Sequence, residues 1–307
     1  MSINTLINEI FTDSINMFNC PSCDAEVRTV RYRYMQDDKE SRIYRCPHCS
    51  LMFARPIFIH DLSHRQMDSV DDAELFNNPF LKKLHEHLII KREIRHVRKI
   101  FSMKEFSLLD IGCGTGWTSS VWEKEGAEVV GLEPSGARGK IAKERYGLRI
   151  IQAYLEDLED SEKFDVIVIR HVLEHFAEPF EILKKVKTLL RENGLILLVV
   201  PNINCIGRYI FNDKWSWILP WHCNFFSPRS LSGLLDRAGF VVLKLYQTPS
   251  PLWYPESFLR LFPKTGQLNS RIYSKLSSLI FLPFMPVVIA GYVMGLSDNI
   301  TLIAKMK

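Results

Sequence analysis

Four cysteines near the start of the chain have the spacing of a metal site. They form two Cys-x-x-Cys pairs, Cys20 with Cys23 and Cys46 with Cys49. Two residues between paired thiolates let both sulfurs reach one tetrahedral ion, and a second pair completes its coordination shell. Because cysteine fills all four positions, the spacing predicts a structural Zn²⁺, with a pair of redox dithiols as the alternative. His48 lies inside the second pair and is interpreted as a bystander.

A glycine-rich stretch in the middle of the chain has the pattern of a nucleotide-binding turn. An apolar run from Leu108 to Ile111 is typical of a buried strand, and a helical pattern begins at Trp117. Between them lie Gly112, Gly114 and Gly116, which let a ligand approach the backbone near the positive end of a helix. The dinucleotide pattern G-x-G-x-x-G would need a glycine where Trp117 stands, so the stretch predicts another kind of nucleotide site.

A second apolar run, Val129 to Leu132, is followed by Glu133, whose carboxylate could bind the two hydroxyls of a ribose. With it the chain resembles the class I S-adenosylmethionine-dependent methyltransferases. The run from Asp110 to Gly116 is similar to their first motif, and Arg170 to His175 reads RHVLEH, similar to the HVLEH signature of one large bacterial branch. The resemblance covers about Ser107 to Gly239 and implies S-adenosylmethionine as the cofactor. A doubly wound domain that binds another nucleotide is the alternative.

The resemblance also implies which residues hold the cofactor. The glycine loop would bind its amino-acid and ribose side, the acid at the end of the second strand its ribose hydroxyls, and two residues after the third strand its adenine. By position, the implied cofactor-binding residues are Asp110, Gly112, Cys113, Gly114, Gly116, Glu133, Leu155, Glu156 and His171.

The elements that position these residues predict an α/β fold, a Rossmann-like doubly wound sheet. The resemblance implies seven strands, the last of them antiparallel. The expected organisation is a zinc ribbon at 1–56, a linker and basic amphipathic helix at 57–106, the methyltransferase core at 107–248, an apolar helical insertion at 249–298 and a final core strand at 299–307. In the helix from Phe80 to Phe101, Leu84 and Leu88 are expected on the apolar face. The basic face could bind phosphates or anionic lipid, or simply be solvated.

The segment after the fifth strand is expected to hold the methyl acceptor, because ligands bind beyond the carboxyl ends of parallel strands. A hydroxyl acceptor must lose a proton, and imidazole titrates near neutral pH. His222 is therefore the first candidate for a catalytic base and His175 the second, with a purely structural role for His222 as the alternative. Ser227 and Pro228 predict the start of a helix. Five aromatic residues could stack on a sugar or belong to the core: Trp215, Trp217, Trp221, Phe225 and Phe226.

The tail contains an apolar segment, 276–296, that has no charged residue. Its length would permit a membrane span, but Pro283 and Pro286 interrupt a helix and a final strand must return to the sheet. Peripheral membrane contact through this segment is expected, with a covered acceptor site, a dimer contact or a buried helical pair as alternatives.

Composition narrows the function classes. The chain has 307 residues, 47% hydrophobic content and a net charge of +4, and its first twenty residues show no secretory signal, which predicts a cytoplasmic protein. The leading hypothesis is O-methylation of a sugar or a lipid-linked glycan precursor, with an isoprenoid quinol or lipid phenol as a variant. Methylation of ribosomal or transfer RNA is the second enzyme hypothesis, and the mild net charge argues against nucleic acid. A non-catalytic binding protein is the third, and the sequence does not indicate an oligomeric state.

Overall fold

The computed structural model describes residues 17–28, 30–36, 39–57, 79–101, 105–160, 162–219, 221–251, 253–262 and 282–307. Residues 1–16 of the predicted ribbon, 58–78 of the predicted linker and 263–281 of the predicted apolar insertion lie outside the described residues. The final core strand and the glycine-rich stretch lie within them.

A seven-stranded sheet forms the centre of the described part. Its strands are β6 (Phe106–Ile111), β7 (Ala127–Leu132), β8 (Arg149–Ile151), β9 (Phe164–Arg170), β10 (Leu190–Pro201), β12 (Phe240–Thr248) and β13 (Asn299–Met306). They lie in the order β12-β13-β10-β9-β6-β7-β8. β13 is antiparallel to both neighbours and the other adjacent pairs are parallel, so the predicted fold is confirmed. The order reverses between β6 and β9, where Ile111 pairs with Ile169, and ligands bind at such a point.

Helices pack on both faces of this sheet and, in a third apolar cluster, against the ribbon. They are α1 (Pro79–His85), α2 (Lys91–Phe101), α3 (Trp117–Lys124), α4 (Gly136–Tyr146), α5 (Pro179–Leu189), α6 (Ile206–Phe211), α7 (Pro228–Arg237), α8 (Trp253–Leu259) and α9 (Met285–Val293). Leu108 and Leu109 of β6 point to opposite faces, and they belong to two separate apolar clusters. Ser227 caps α7 in a capping box with Ser230, as its sequence pattern predicts.

The basic helix is interrupted by a π-helical turn, Glu86–Ile90, between α1 and α2. A π turn inserts extra backbone and rotates the apolar stripe, so Ile94 and Val97 are buried whereas Leu84 and Leu88 are exposed. The prediction that Leu84 and Leu88 face the core is therefore wrong. α2 packs against the sheet through Ile94 and Val97 with its basic side toward solvent, and the binding of phosphate or anionic lipid by that side stays a prediction.

The N-terminal ribbon and the sheet domain share a strand. The ribbon contains β3 (Val30–Gln36), β4 (Lys39–Arg45) and β5 (Met52–Arg55), and the short pair β1 (Phe18–Asn19) and β2 (Glu26–Val27) precedes them. β11 (Asn224–Phe225), from the segment after β10, pairs antiparallel with β5 as a fourth strand of the ribbon sheet. Tyr44 and Phe53 of the ribbon belong to the same apolar cluster as Phe226. The ribbon is thus packed onto the segment that was expected to hold the acceptor.

The described part of the tail bends at its prolines. A 3₁₀ turn, Leu282–Phe284, precedes α9, and Pro286 lies in the first turn of that helix. α9 packs on α6, where Gly291 lies against Ile206. Among the described helices, none combines the length and the apolar character needed to cross a bilayer.

Candidate active site

The glycine stretch forms a tight turn between β6 and α3. Gly112, Gly114 and Gly116 have φ angles of +71°, +58° and +76°, which a residue with a Cβ adopts only at a cost. The Gly112 amide donates to the Leu132 carbonyl at 2.8 Å, and this bond ties the turn to β7. A Cβ on Gly112 would lie 2.5 Å from Cγ2 of Val172, whereas one on Gly114 would meet no described atom within 4 Å. The turn is therefore packed on one side and open at Gly114.

Two buried carboxylates hold the turn in place. Glu133 accepts hydrogen bonds from the Gly114 amide at 2.9 Å and from the Ser135 amide at 3.0 Å. Asp110 accepts one from the Ser119 hydroxyl at 2.6 Å, and burial raises the pKa of Asp110 to about 6. Glu133 thus lies beside the open side of the turn, where the resemblance requires the ribose-binding acid.

The remaining predicted cofactor residues lie around the same edge. The Cys113 sulfur is buried under the turn against Gly131, so Cys113 can offer a ligand its backbone only. Leu155 is buried in a 3₁₀ turn after β8, and Glu156 beside it is exposed. His171 follows β9 with a φ of +52°. These placements are consistent with the implied roles, which remain predictions.

Substitution of alanine for Gly114 is expected to separate cofactor binding from folding. The Gly114→Ala variant should lose about 1 kcal/mol of unfolding free energy through its positive φ, while its methyl group enters the open space and weakens S-adenosylhomocysteine binding at least ~10-fold. Calorimetric titration and urea denaturation measure the two effects. Gly147→Ala is the matched control, because Gly147 also has a positive φ and open surroundings but ends α4. Equal affinities of these two variants would contradict the prediction.

A buried acid and three histidines meet at the carboxyl end of β9. Glu174 is 1% exposed and neither carboxylate oxygen accepts a hydrogen bond among the described residues. His171 Nδ1 lies 3.7 Å from Glu174 Oε1, too long for a good hydrogen bond. One oxygen of Glu174 and one ring nitrogen each of His175 and His222 lie within 4.8 Å of one another. Burial by itself raises the pKa of Glu174, but the surrounding histidines outweigh it and hold that pKa below its ordinary value.

Backbone carbonyls determine the tautomers of His175 and His222. His175 Nδ1 lies 3.2 Å from the Trp221 carbonyl, and His222 Nδ1 lies 2.9 Å from the Trp217 carbonyl. A carbonyl only accepts, so each Nδ1 carries the proton and each neutral ring keeps its lone pair on Nε2. His175 is half-buried, whereas His222 is 2% exposed and burial lowers its pKa to about 3. The cluster can therefore accept a proton, and its carboxylate and imidazole ligands could also hold a divalent cation.

The pKa of His222 predicts a pH dependence of stability. The folded-state pKa is below the unfolded value of 6.5, so the unfolded chain binds the extra proton between about pH 3 and 6.5 and stability falls as the pH falls. Between pH 6.5 and pH 5 the parent protein should lose about 1.6 kcal/mol more unfolding free energy than His222→Gln. Urea denaturation at several pH values measures this, and parallel curves for the two proteins would refute it.

Most of the aromatic residues after β10 belong to the core. Trp215 and Phe226 are fully buried, and Trp217 stacks on the His171 ring at 4.9 Å. The cavity beside His222 and Trp217 has a volume of about 10 Å³, enough for one water at most. Of the two alternatives for these aromatic side chains, the structure supports core packing, and only Trp221 among the five is half-exposed.

Glu174 is a site residue that the sequence did not single out, although it lies within the RHVLEH segment. The spacing His-x-x-Glu-His, with His171 and His175 on either side, is the signal that could have identified it. Arg170 was also missed: it ends β9 and forms an ion pair with the buried Glu93 of α2. That pair attaches α2 beside the edge of the sheet where the cofactor residues lie.

The four cysteines of the ribbon come together as their spacing predicts. Their sulfurs lie within 4.8 Å of one another, and the Cys20–Cys49 and Cys23–Cys46 sulfur pairs are each 3.4 Å apart. Both pairs form the same turn, in which Asp24 and Ser50 have positive φ angles and their amides donate to the first cysteine's carbonyl. The neighbouring Cys20 thiol lowers the pKa of Cys49 to about 5. The arrangement fits a tetrahedral sulfur site.

A match to a family model identifies the family, and the match spans the glycine turn, the RHVLEH segment and α7. A family model described as "Methyltransferase domain" matches residues 73–245, more than half of the 307-residue chain. The chain belongs to this methyltransferase family. It is an enzyme that uses S-adenosylmethionine, as the glycine turn and the acid at the end of β7 predict.

This methyltransferase is similar to curated bacterial enzymes. It is 27% identical over 194 residues to the ubiquinone biosynthesis O-methyltransferase of Coxiella burnetii, covering 57% of this chain and 80% of that one. It is 33% identical over 152 residues to the protein of the same name from Pelagibacter ubique, covering 48% and 62%. The crystal structure of a mycolic acid cyclopropane synthase complexed with SAH and CTAB has 18% identity and a TM-score of 0.52, covering 78% of this chain and 95% of that one, and this likeness confirms the fold.

Proposed function

We propose that this methyltransferase methylates a hydroxyl group on a lipid-borne acceptor. The cluster of Glu174, His175 and His222 at the carboxyl end of β9 is the observation that carries the proposal. A hydroxyl becomes a good nucleophile as it loses its proton, and a neutral imidazole beside a carboxylate is suited to accept that proton. The cluster adjoins the glycine turn, because Val172 of the same loop packs against Gly112.

Separate groups of residues would bind the cofactor and accept the proton. S-adenosylmethionine supplies the methyl group when bound, and Glu133 and the Gly112–Gly116 turn would hold its ribose and amino-acid side. We assign the catalytic base to His175, reversing the order favoured by the sequence, because burial makes His222 a weak base. Glu174 would stabilise the imidazolium that forms on His175.

Exposed apolar residues support a lipid-borne acceptor. On α9 and its flanks, Leu282 is 71% exposed and Val293 is 77% exposed, and Tyr209 and Ile210 of α6 are also largely exposed. These side chains would contact a membrane peripherally, at the sheet edge that carries the acceptor segment. The names of the relatives favour an isoprenoid quinol or lipid phenol. A sugar hydroxyl on a lipid-linked precursor is the second candidate, favoured by an arginine-lined cleft described below.

We also propose a structural Zn²⁺ on Cys20, Cys23, Cys46 and Cys49. When bound, the ion would crosslink the two turns of the ribbon and supply no catalytic position, because four sulfurs complete its shell. The shared strand β11 links this site to the acceptor segment.

Labelled methyl transfer tests the proposed function. The purified, zinc-loaded full chain is incubated with methyl-labelled S-adenosylmethionine and, separately, with membrane lipid extract, soluble nucleotide sugars and total RNA from the host. We expect label in the lipid fraction, stable to mild base as an ether is and absent with His175→Gln. Label only in nucleotide sugars would shift the acceptor to a soluble sugar, and label only in RNA would overturn the proposal.

A further inference from the structure

A cleft of about 390 Å³ lies between part of the ribbon and the sheet domain. One wall is the second cysteine turn and the strands beside it, including Arg45 at the end of β4. The other wall contains the loop after β10, α6 with Arg208, and the start of α7 with Arg229. The volume lies within the range of small-molecule sites, roughly 300–1,000 Å³.

All of the described charged side chains that line this cleft are positive. Three guanidinium groups, on Arg45, Arg208 and Arg229, line it from three separate elements, and no carboxylate is among the lining side chains that the structure describes. Arg45 and Arg229 are exposed, and Arg208 is half-buried with its guanidinium 5.7 Å from the centre of the Tyr209 ring. Like charges at a concave surface repel one another and focus a positive potential there. An anion between them would relieve that repulsion.

The start of α7 adds to the positive potential. Ser227, the N-cap, also lines the cleft, and the first turn of this ten-residue helix contains no acidic side chain. Helix N-termini favour anions, and arginine binds phosphate oxygens with two parallel hydrogen bonds. The arrangement differs from the cysteine site and from the glycine turn, because none of the four cysteines and no residue of the Gly112–Gly116 turn lines the cleft.

The cleft lies next to the Glu174–His175–His222 cluster. Ile203, which follows β10, lines both this cleft and the small cavity beside His222. Tyr209 lies in the wall of the cleft and belongs to the exposed apolar surface of α6. A ligand anchored by an anionic group in the cleft could therefore extend either toward the catalytic edge or along apolar surface.

We propose that the three-arginine cleft binds the phosphate or diphosphate group of an anionic ligand. Guanidinium groups recognise phosphate by charge and by planar hydrogen bonding, and several of them together suit a diphosphate. The ligand is either a lipid diphosphate or a nucleotide diphosphate sugar, since both present the same group. The inference concerns binding in the cleft and does not require the proposed base.

Calorimetric titration of the zinc-loaded full chain with inorganic pyrophosphate tests the inference. We expect measurable binding that weakens as salt rises and falls at least ~10-fold in Arg45→Gln/Arg229→Gln. Arg28→Gln/Arg95→Gln is the matched control, since it removes the same charge from exposed sites outside the cleft. Equal binding by the two double variants, or no binding to the parent protein, would overturn the inference. Retained S-adenosylhomocysteine affinity shows that each variant is folded.

Two further probes identify the source of the phosphate. Farnesyl diphosphate binding more tightly than pyrophosphate would indicate a lipid ligand that uses the apolar surface at Tyr209. Uridine diphosphate glucose binding more tightly would indicate a nucleotide sugar. His175→Gln should bind pyrophosphate like the parent protein, so a failure of the proposed methyl transfer and a failure of the cleft inference are distinguishable.

Discussion

Replacement of His175 by glutamine is expected to lower kcat for methyl transfer by ~10²–10⁴, the usual contribution of a general base. The glutamine amide can still donate to the Trp221 carbonyl that orients His175, so the loop should keep its structure. It cannot accept a proton at neutral pH, however. The rate is measured with the labelled lipid fraction, and S-adenosylhomocysteine affinity should stay within a factor of about 3 because the substitution removes proton transfer and not cofactor contacts.

His87→Gln is the control for this experiment, since His87 is exposed on the π turn and contributes nothing to the cluster. If His175→Gln kept a normal kcat and His222→Gln were inactive, His222 and not His175 would be the base. If the kcat of the parent enzyme depended on added Mg²⁺ or Mn²⁺, the Glu174–His175–His222 cluster would be a cation-binding site instead.

Loss of the zinc site is expected to have the largest effect on stability. Apparent binding free energies of structural zinc reach about 10–16 kcal/mol, as large as the whole unfolding free energy of a typical domain, about 5–15 kcal/mol. Cys46→Ser should therefore reduce bound zinc from one ion per chain to less than about one tenth and unfold the ribbon. Because β11 would lose its partner β5, the neighbouring His222 and Cys223 should lose their positions and methyl transfer should fall as well. Metal analysis, thermal unfolding and the methylation assay measure the three effects.

His48→Ala is the matched control for the zinc site. His48 lies inside the second cysteine pair but is exposed, and its variant should keep zinc, stability and activity. A Cys46→Ser protein with full zinc content would exclude the four-sulfur site. A variant that loses zinc but unfolds at the parent temperature would contradict a structural role for the ion.

The local elements of the core were predictable because each has a local cause. Continuous apolar runs identified β6 and β7, and the glycines of the Gly112–Gly116 turn marked the place where a ligand meets the backbone. The Ser227 cap and Pro228 fixed the start of α7 for the same reason, since a cap is a contact between residues three positions apart. The two Cys-x-x-Cys spacings also predicted that the four cysteine sulfurs meet at one site.

Tertiary structure decided everything that depends on contacts between distant segments. The π turn moved Leu84 and Leu88 out of the core, although their spacing is helical. The pairing of β11 with β5 joined the ribbon to the acceptor segment, and no local pattern encodes a partner so far along the chain. The spacing of aromatic residues in the sequence does not distinguish core side chains from ligand-binding ones, so only the structure shows that Trp217 is buried.

The cluster of Glu174, His175 and His222 shows both contributions. The resemblance of the glycine turn and Glu133 to the methyltransferase motif predicted S-adenosylmethionine from the sequence, and the family match over residues 73–245 supports it. The sequence also placed His175 and His222 among the candidates through their residue type. Which of the two histidines is the better candidate base depends on burial, because His222 is desolvated and His175 is only half-buried. Burial is known only once the chain has packed. The three-arginine cleft has the same origin, since its charges come from separate elements that only the fold brings together.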